Sequence, residues 1–518
     1  MYKRMIFVKK TKYIALLMIA VLLLSACGKG DDNKKQNKND NSAITLQMKE
    51  ISNFNPFLVS NHSVRDVYSL CYEPLFAVDN TIHPQGVLAQ SIDISDDCMT
   101  AVINLKDSVL WHDGVGFTGG DVIYTINLLK ANPDWEYYEY VKYIDTVTVI
   151  DDYTLRITLT KPYGQIAYSL TFPIVAAHNT AMDSSILGTG PYKFSSYIPA
   201  TSLELVKNEA WHGGDANCEK INVNIIKDNV AVTTAFNTGI LSAVTDQSFD
   251  SENASPRAGS KTYSYPSTEF EYIALNHNKG IFQSQNIRSA VSYAIDRTTI
   301  VNECYNGGAM EANAPIHPAA EGVAESSIQS QFSLANANEM LFMEGYTMDE
   351  STKLLKDSQN NTLSFTLLVN EDNPQRMKTA QLLVKQFFAA GIDVNVTALP
   401  FEEYLERISS GNFDAYLGGT RLRNVYDFDA LLSENGALNN YGYKSEYIEM
   451  ALDALNTAPG QDSLSDAVFN FEELFVREQP VIGLLFKNRT LLVAENVNGD
   501  ILPSVNAPYK NIDRWSVN

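Results

Sequence analysis

LSFTLLVNEDNPQRMKTAQLLVKQFFAAGIDVNVTALPFEEYLERISSGNFDAYL, residues 363–417, changes its apolar period along its length. Residues 363–369 form a short apolar run of strand length, and 374–390 place apolar residues at helical spacing. Gly391 stands where a helix end favours a left-handed residue, and 392–399 then alternate as a strand. A helix over 401–410, Gly411 and a last strand over 413–417 complete the stretch. Strand–helix–strand–helix–strand predicts a parallel α/β lobe with right-handed crossovers.

Upstream the pattern differs. Within 145–160, TVTVI and YTLRITLT alternate around Asp151-Asp152, which predicts a β-hairpin. A strand is expected at 44–48, a turn at 53–56, and a helix over 64–76 that stops at Glu73-Pro74. Strands are expected at 101–105, 109–111, 192–197, 202–207 and 272–276, and the rigid turn 188–192 precedes two of them. Apolar residues at Ile287, Ala290, Val291, Ala294 and Ile295 predict one helix over 287–300. A strand-rich α+β region therefore precedes the α/β lobe. No repeat, charge block or Pro-rich linker separates them, so the domains are expected to interleave.

The chain is long for one domain, at 518 residues. Its N-terminus has a basic start, from Lys3 to Lys12, and an apolar core from Tyr13 to Leu24. Leu24-Ser25-Ala26-Cys27 follows, so 1–26 reads as a signal peptide whose cut leaves Cys27 first and lipidated. The apolar core falls short of the ~20 residues of a transmembrane helix. Residues 27–43 are polar and cannot offset their ordering entropy by burial, so they read as a flexible tether. The expected location is the extracytoplasmic face of a bacterial membrane, reached through the lipid anchor. A net charge of −22 argues against a nucleic-acid partner.

No GxSxG, HExxH or P-loop is present, and the seven histidines show no i, i+3 or i, i+4 pairing. No enzyme activity, metal or cofactor is expected. Gly114-Val115-Gly116-Phe117-Thr118-Gly119 fits GxGxxG, but an antiparallel hairpin follows it instead of a parallel strand. It reads better as a turn in which Thr118 caps a helix starting at Gly119, with Asp121 in the first turn. Cys71, Cys98, Cys218 and Cys304 match no metal spacing, and buried free thiols are expected, one disulfide remaining open.

A series of short stretches then carries a resemblance. They are Tyr72-Glu73-Pro74-Leu75-Phe76, Trp111-His112-Asp113-Gly114 with Phe117-Thr118, Asp152-Tyr153-Thr154, Gly188-Thr189-Gly190-Pro191-Tyr192 and Ile287 through Arg297. In this order behind a lipidation motif, the chain resembles the extracytoplasmic solute-binding proteins of ABC importers, family 5, of oligopeptide-, dipeptide- and nickel-binding type. The resemblance implies an α/β fold with an α+β insertion: the periplasmic-binding-protein-like two-lobe fold of cluster C type, with three domains. Domain I would comprise 44–76, 169–274 and 488–518, domain II 77–168 and domain III 275–487. Two strands would cross between lobes, near 272–276 and 482–487. Trp111 and Asp113 would fix a turn, and Asp296 would pair with Arg297. Implied partners are an ABC permease, its ATPase and a small solute or peptide, bound by a monomer.

The resemblance thins at the ligand site. Peptide-binding relatives carry Gly-Trp at the end of the strand equivalent to 415–417, and then an Asp that holds the peptide's ammonium. Here Gly419 stands at the Trp position, Arg421 and Arg423 occupy the region of the Asp, and Tyr426-Asp427 follows. Either a different acid or backbone carbonyls hold an amine, or an arginine holds a carboxylate or phosphate by its planar fork. Phe54, Asn55, His62, Tyr265, Ser267, Asn440 and Tyr441 lie on loops the fold would aim at the cleft. Peptide or peptide-like solute is the leading class. Alternatives are an anionic solute, an oligosaccharide, a nickel complex, or a sensor that presents its ligand. For nickel, His62, His277 and His317 are scattered.

Overall fold

The computed structural model describes residues 43–179, 181–249, 254–320, 323, 332–422 and 426–518. The expected signal peptide, Cys27 and nearly all of the expected tether lie outside the described residues, as does Arg423. Along the described chain the elements that position the site are β1 (Ala43–Met48), α1 (His62–Tyr68), β2 (Ala89–Ile94), β3 (Thr100–Leu105), α2 (Gly119–Lys130), β4 (Ile144–Asp151) and β5 (Thr154–Leu159). Then come β6 (Tyr192–Ile198), β7 (Ser202–Lys207), β8 (Lys220–Ile225), β9 (Ala243–Thr245) and β10 (Lys261–Leu275). The second half supplies α3 (Gln285–Tyr293), α4 (Arg297–Tyr305), β11 (Ala309–Glu311), β12 (Ser364–Asn370), α5 (Pro374–Ala389), β13 (Asp393–Leu399), α6 (Phe401–Ser409), β14 (Ala415–Arg421) and β15 (Ile482–Val493).

Two four-stranded sheets occupy the first half, in orders β1-β8-β7-β6 and β2-β3-β5-β4. The expected hairpin is β4–β5, paired from Ile144↔Leu159 to Asp151↔Thr154. In the second half β12 pairs parallel with both β13 and β14, as the opening stretch predicts. That parallel block is only three strands wide. Antiparallel β10 and β15 extend it into a mixed seven-stranded sheet.

β10 and β15 join the lobes. Tyr265 of β10 and Leu491 and Val493 of β15 belong to the core built on the first-half sheets. Phe270, Tyr272 and Ala274, with Phe486, belong to one second-lobe core, and Ile273, Leu275, Ile482, Leu484 and Leu485 to the other. Each strand thus changes lobe between residues 265 and 270, or between 486 and 491. The expected crossings at 272–276 and 482–487 fall on the second-lobe side of the true exchange. The register breaks at the exchange, between Pro266 and Phe270, because proline donates no ladder hydrogen bond.

Several local expectations need correction. The helix expected over 64–76 is only α1, and 109–111 contributes one bridge, Leu110↔Gly116, not a strand. The helix expected over 287–300 is two, because Asp296 caps α4 by accepting from Thr299 N at 3.0 Å and its hydroxyl at 2.7 Å. Asp296 therefore does not pair with Arg297. That guanidinium is buried and donates to Gly483 O at 2.8 Å and Ser292 Oγ at 3.1 Å. All four described cysteines are buried free thiols.

The GxGxxG stretch is a turn ending in a capping box at Thr118 and Asp121. Buried Asp121 accepts from Thr118 N at 3.0 Å, Trp111 Nε1 at 3.3 Å and Ala177 N at 2.8 Å, while Asp113 accepts from Val115 N at 3.1 Å. Trp111 and Asp113 thus hold the turn. Asp121→Ala leaves three donors without their acceptor, and it is expected to lower unfolding stability by about 2–4 kcal/mol. Urea denaturation measures this; an unchanged midpoint would show that the box is dispensable.

Candidate functional site

The exchange point of the crossing strands floors a cavity of about 560 Å³, within the size range of small-molecule sites. Its wall combines α1, the 136–140 segment, residues 265–269 of β10, Arg421 at the end of β14, Arg489 on β15 and the C-terminal segment 504–513. Both lobes therefore contribute to it.

A chain of charges follows the crossing strands, and two of its members, Glu269 and Arg489, line the cavity. Glu271, buried on β10, accepts from Arg376 Nε at 2.7 Å and Nη2 at 3.1 Å, and it pairs with Lys487 at 2.8 Å. Lys487 lies 3.9 Å from Glu269, Glu269 pairs with Arg489, and Arg489 lies 3.8 Å from Asp246. The chain starts on α5 in the second lobe and ends beside β9 in the first. It also explains Gly419. A Cβ there would sit 2.5 Å from Arg376 Nη2 and 2.6 Å from Glu271 Oε1, so the pair fills the space a side chain would need.

Three guanidinium groups line the cavity. Arg65 lies 3.3 Å from Glu136, Arg489 has Glu269 and Asp246, and Arg421 donates to the Asn506 side-chain oxygen. Beside them Asp66 is 9% exposed on α1, and among the described residues its carboxylate takes part in no hydrogen bond or ion pair. Burial pushes its carboxyl up to about 7, against the pull of Arg65, Arg421 and Arg489. Two further polar atoms of lining residues, Ser504 Oγ and Arg65 Nε, are buried without a partner among the described residues.

His62, Tyr265, Ser267 and Arg421 all line this cavity. Burial, then repulsion from Arg421, Arg65 and Arg489, lowers the His62 pKa to about 4, leaving a neutral ring at pH 7. Ser267 Oγ donates to Lys487 O at 2.7 Å and ties the two crossing strands at their exchange. The other candidates lie elsewhere. Phe54 packs edge-on against Phe194 and Tyr197, and Asn55 Oδ1 accepts from Phe57 N at 3.0 Å as a helix cap. Tyr426 is buried edge-on against Tyr168, and Asp427 lies 3.4 Å from Lys142. Asn440 is exposed, while buried Tyr441 donates to Leu431 O, a core role instead of a cleft one. His277 stacks edge-on with Tyr443 and His317 packs on Phe486, so neither joins His62.

Tyr426 and Asp427 belong to a seam where the 142–168 region meets the second lobe. Lys161 and the Tyr143 hydroxyl each reach Asp429 at 3.3 Å, and Gly164 N donates to Asn456 O at 2.6 Å. A Cβ on Gly164 would lie 2.0 Å from Ala458 O, so only glycine permits this approach. Sequence reasoning missed Asp66. Its one signal is an acid beside Val64 and Val67 on a helix whose residues are mostly buried.

The comparisons with known proteins agree with this architecture. The sequence model of a family described as bacterial extracellular solute-binding proteins, family 5 Middle, matches residues 83–441. The oligopeptide-binding protein AppA of Bacillus subtilis is 21% identical, over 97% of this chain and 97% of that protein. The glutathione-binding protein GsiB of Pectobacterium atrosepticum is 26% identical, over 67% of each. Among solved structures, the unliganded open form of the periplasmic murein tripeptide binding protein MppA superposes with a TM-score of 0.78 at 18% identity, covering 92% of this chain and 97% of that one. That likeness establishes the two-lobe fold.

Two outcomes follow from the charges. Removing Glu271 leaves Arg376 without a carboxylate partner at a buried site and Lys487 with only Glu269, 3.9 Å away, and Glu271→Ala is expected to cost about 3–5 kcal/mol in urea denaturation; a loss below 1 kcal/mol would contradict the pairing. The raised Asp66 pKa means that the folded, ligand-free protein holds a proton the unfolded chain releases. Its contribution to stability is full below about pH 4 and is lost as pH rises to about 7. Asp66→Asn should therefore raise the melting temperature at pH 8 by roughly 2–5 °C and by less at pH 5. An equal shift at both pH values would show that Asp66 does not titrate in this window.

Proposed function

We propose that this chain, which belongs to the family 5 bacterial extracellular solute-binding proteins, is the lipid-anchored capture subunit of an ABC transporter. It takes up a solute, of peptide or peptide-like class, in the cavity between its lobes and delivers it to a membrane permease powered by an ATPase. The observation that carries this reading is the cavity at the exchange of β10 and β15, walled by both lobes and lined by charged groups that the described residues leave incompletely paired. A solute touching both walls binds the closed arrangement better than an open one, and that difference shifts the hinge equilibrium. No bond is made or broken.

Further support comes from the relatives whose names specify an oligopeptide and glutathione. The three-domain division, with 44–76, 169–274 and 488–518 as domain I, 77–168 as domain II and 275–487 as domain III, is part of the same proposal. The separate four-stranded sheet of β2 to β5 within 77–168 supports it. The Leu24-Ser25-Ala26-Cys27 run and the polar residues after it support a lipid on Cys27 and a stand-off from the membrane.

Protein purified without refolding should carry a small organic adduct in native mass spectrometry that disappears on denaturation. A metal complex as the adduct would contradict the peptide class, and conversion of the adduct to product would contradict the transport role. Cys27→Ser should move the protein from the membrane fraction to the soluble fraction; retention in the membrane would contradict the anchor.

A further inference from the structure

The cavity's charges do not balance by position. Arg65 and Arg489 have carboxylate partners, in Glu136 and in Glu269 with Asp246. Arg421 has only the neutral amide of Asn506, and Asp66 has no partner among the described residues. Asp66 is more than nine-tenths buried and lies within electrostatic reach of Tyr265 and Tyr509, both buried and both on the cavity wall. An ionised carboxylate in such a place costs several kcal/mol unless a cation or donors meet it. Among the described residues no cation pairs with it directly, and Arg65, Arg421 and Arg489 act on it only through the field of the cavity.

Position adds the second constraint. Asp66 sits on α1, whose Val64 and Val67 belong to the first-lobe core, whereas Arg421 ends β14, whose Ala415 and Leu417 belong to a second-lobe core. The two incompletely paired groups of opposite sign therefore face one cavity from opposite lobes. Lys510 also lines it, but its neighbours Tyr509 and Ile512 are first-lobe core, so it cannot provide a second-lobe contact.

We propose that Asp66 is the ammonium-binding residue of the cavity, and that the solute is a small zwitterion whose carboxylate goes to Arg421 on the opposite lobe. The inference rests on the solute-binding reading above and deepens it. A carboxylate suits the planar guanidinium, and an ammonium completes Asp66. A molecule carrying both charges then acts as a removable ion bridge between lobes. Closure depends on both ends of the solute, and either end alone pairs with one lobe only. The acid that holds an amine in peptide-binding relatives thus has its counterpart across the cleft, on the first lobe.

The test presents the full chain, freed of co-purified solute, with an equimolar mixed tripeptide library in free, N-acetylated and C-amidated forms. Retained masses are read by native mass spectrometry, for wild type, Asp66→Asn and Arg421→Gln. Wild type is expected to retain free tripeptides at least tenfold better than either blocked form. Asp66→Asn should lose the preference over N-acetylated peptides while keeping the preference over amides, and Arg421→Gln should do the reverse. Equal retention of free and acetylated peptides by wild type, or an unchanged preference in Asp66→Asn, overturns the proposal. A co-purified solute without an ammonium group overturns it too, while leaving the capture function standing. If neither a co-purified solute nor any library member is retained, both readings fall. A variant that does not fold is recognised by its melting curve, and Asp66→Ser then replaces it under the same criteria.

Discussion

Glu271 is the constraint on which the site depends. A carboxylate buried in the strand pair that joins two lobes must be met by cations, and Arg376 and Lys487 meet it from α5 and β15. That one residue locks three elements together at the second-lobe end of the crossing. Everything beyond the lock, toward Pro266 on β10 and Asn488 on β15, is where the ladder breaks and the strands change lobe. A second-lobe sheet pinned by ion pairs and a broken register beside it are the elements of a hinge.

The same ion pair decides what can stand at position 419. With Arg376 and Glu271 occupying the space over Gly419, no aromatic side chain fits at that position. Two residues on, Arg421 lies on the same side of β14, opposite Glu269. The second-lobe wall is therefore cationic where peptide-binding relatives place an acid. Glu269 does not neutralise Arg421, because Arg489 already pairs with it. The first lobe supplies the opposite sign through Asp66, held in place by a short helix that is buried on most sides.

Much of this architecture is legible in local pattern. The β4–β5 hairpin, the β12–α5–β13–α6–β14 run and the Thr118–Asp121 cap are written in spacings of two to four residues, where propensity and patterning agree. Where long-range packing decides, the reading fails. The first part of β10 carries Pro266 and polar residues and does not read as a strand, yet β15 pairs with it at Lys261–Pro266. Tyr441 and Asn55 have the aromatic–polar character of cleft residues but serve a core and a cap. Asp66 reads as a surface acid, and only the tertiary structure turns it inward. At Gly419 and Arg421 the departure from the family pattern is visible in the sequence, but the ion pair from residues 271 and 376 that fills the space over Gly419 is not.

On the proposed function, a solute bridging the two lobes closes them about the crossing strands. Small-angle X-ray scattering of the solute-free protein, before and after the co-purified solute is restored, tests it directly. The radius of gyration should fall on addition while the scattering mass stays constant. An unchanged radius at saturating solute would contradict the claim, because the cavity would then be a fixed pocket in a body that does not hinge.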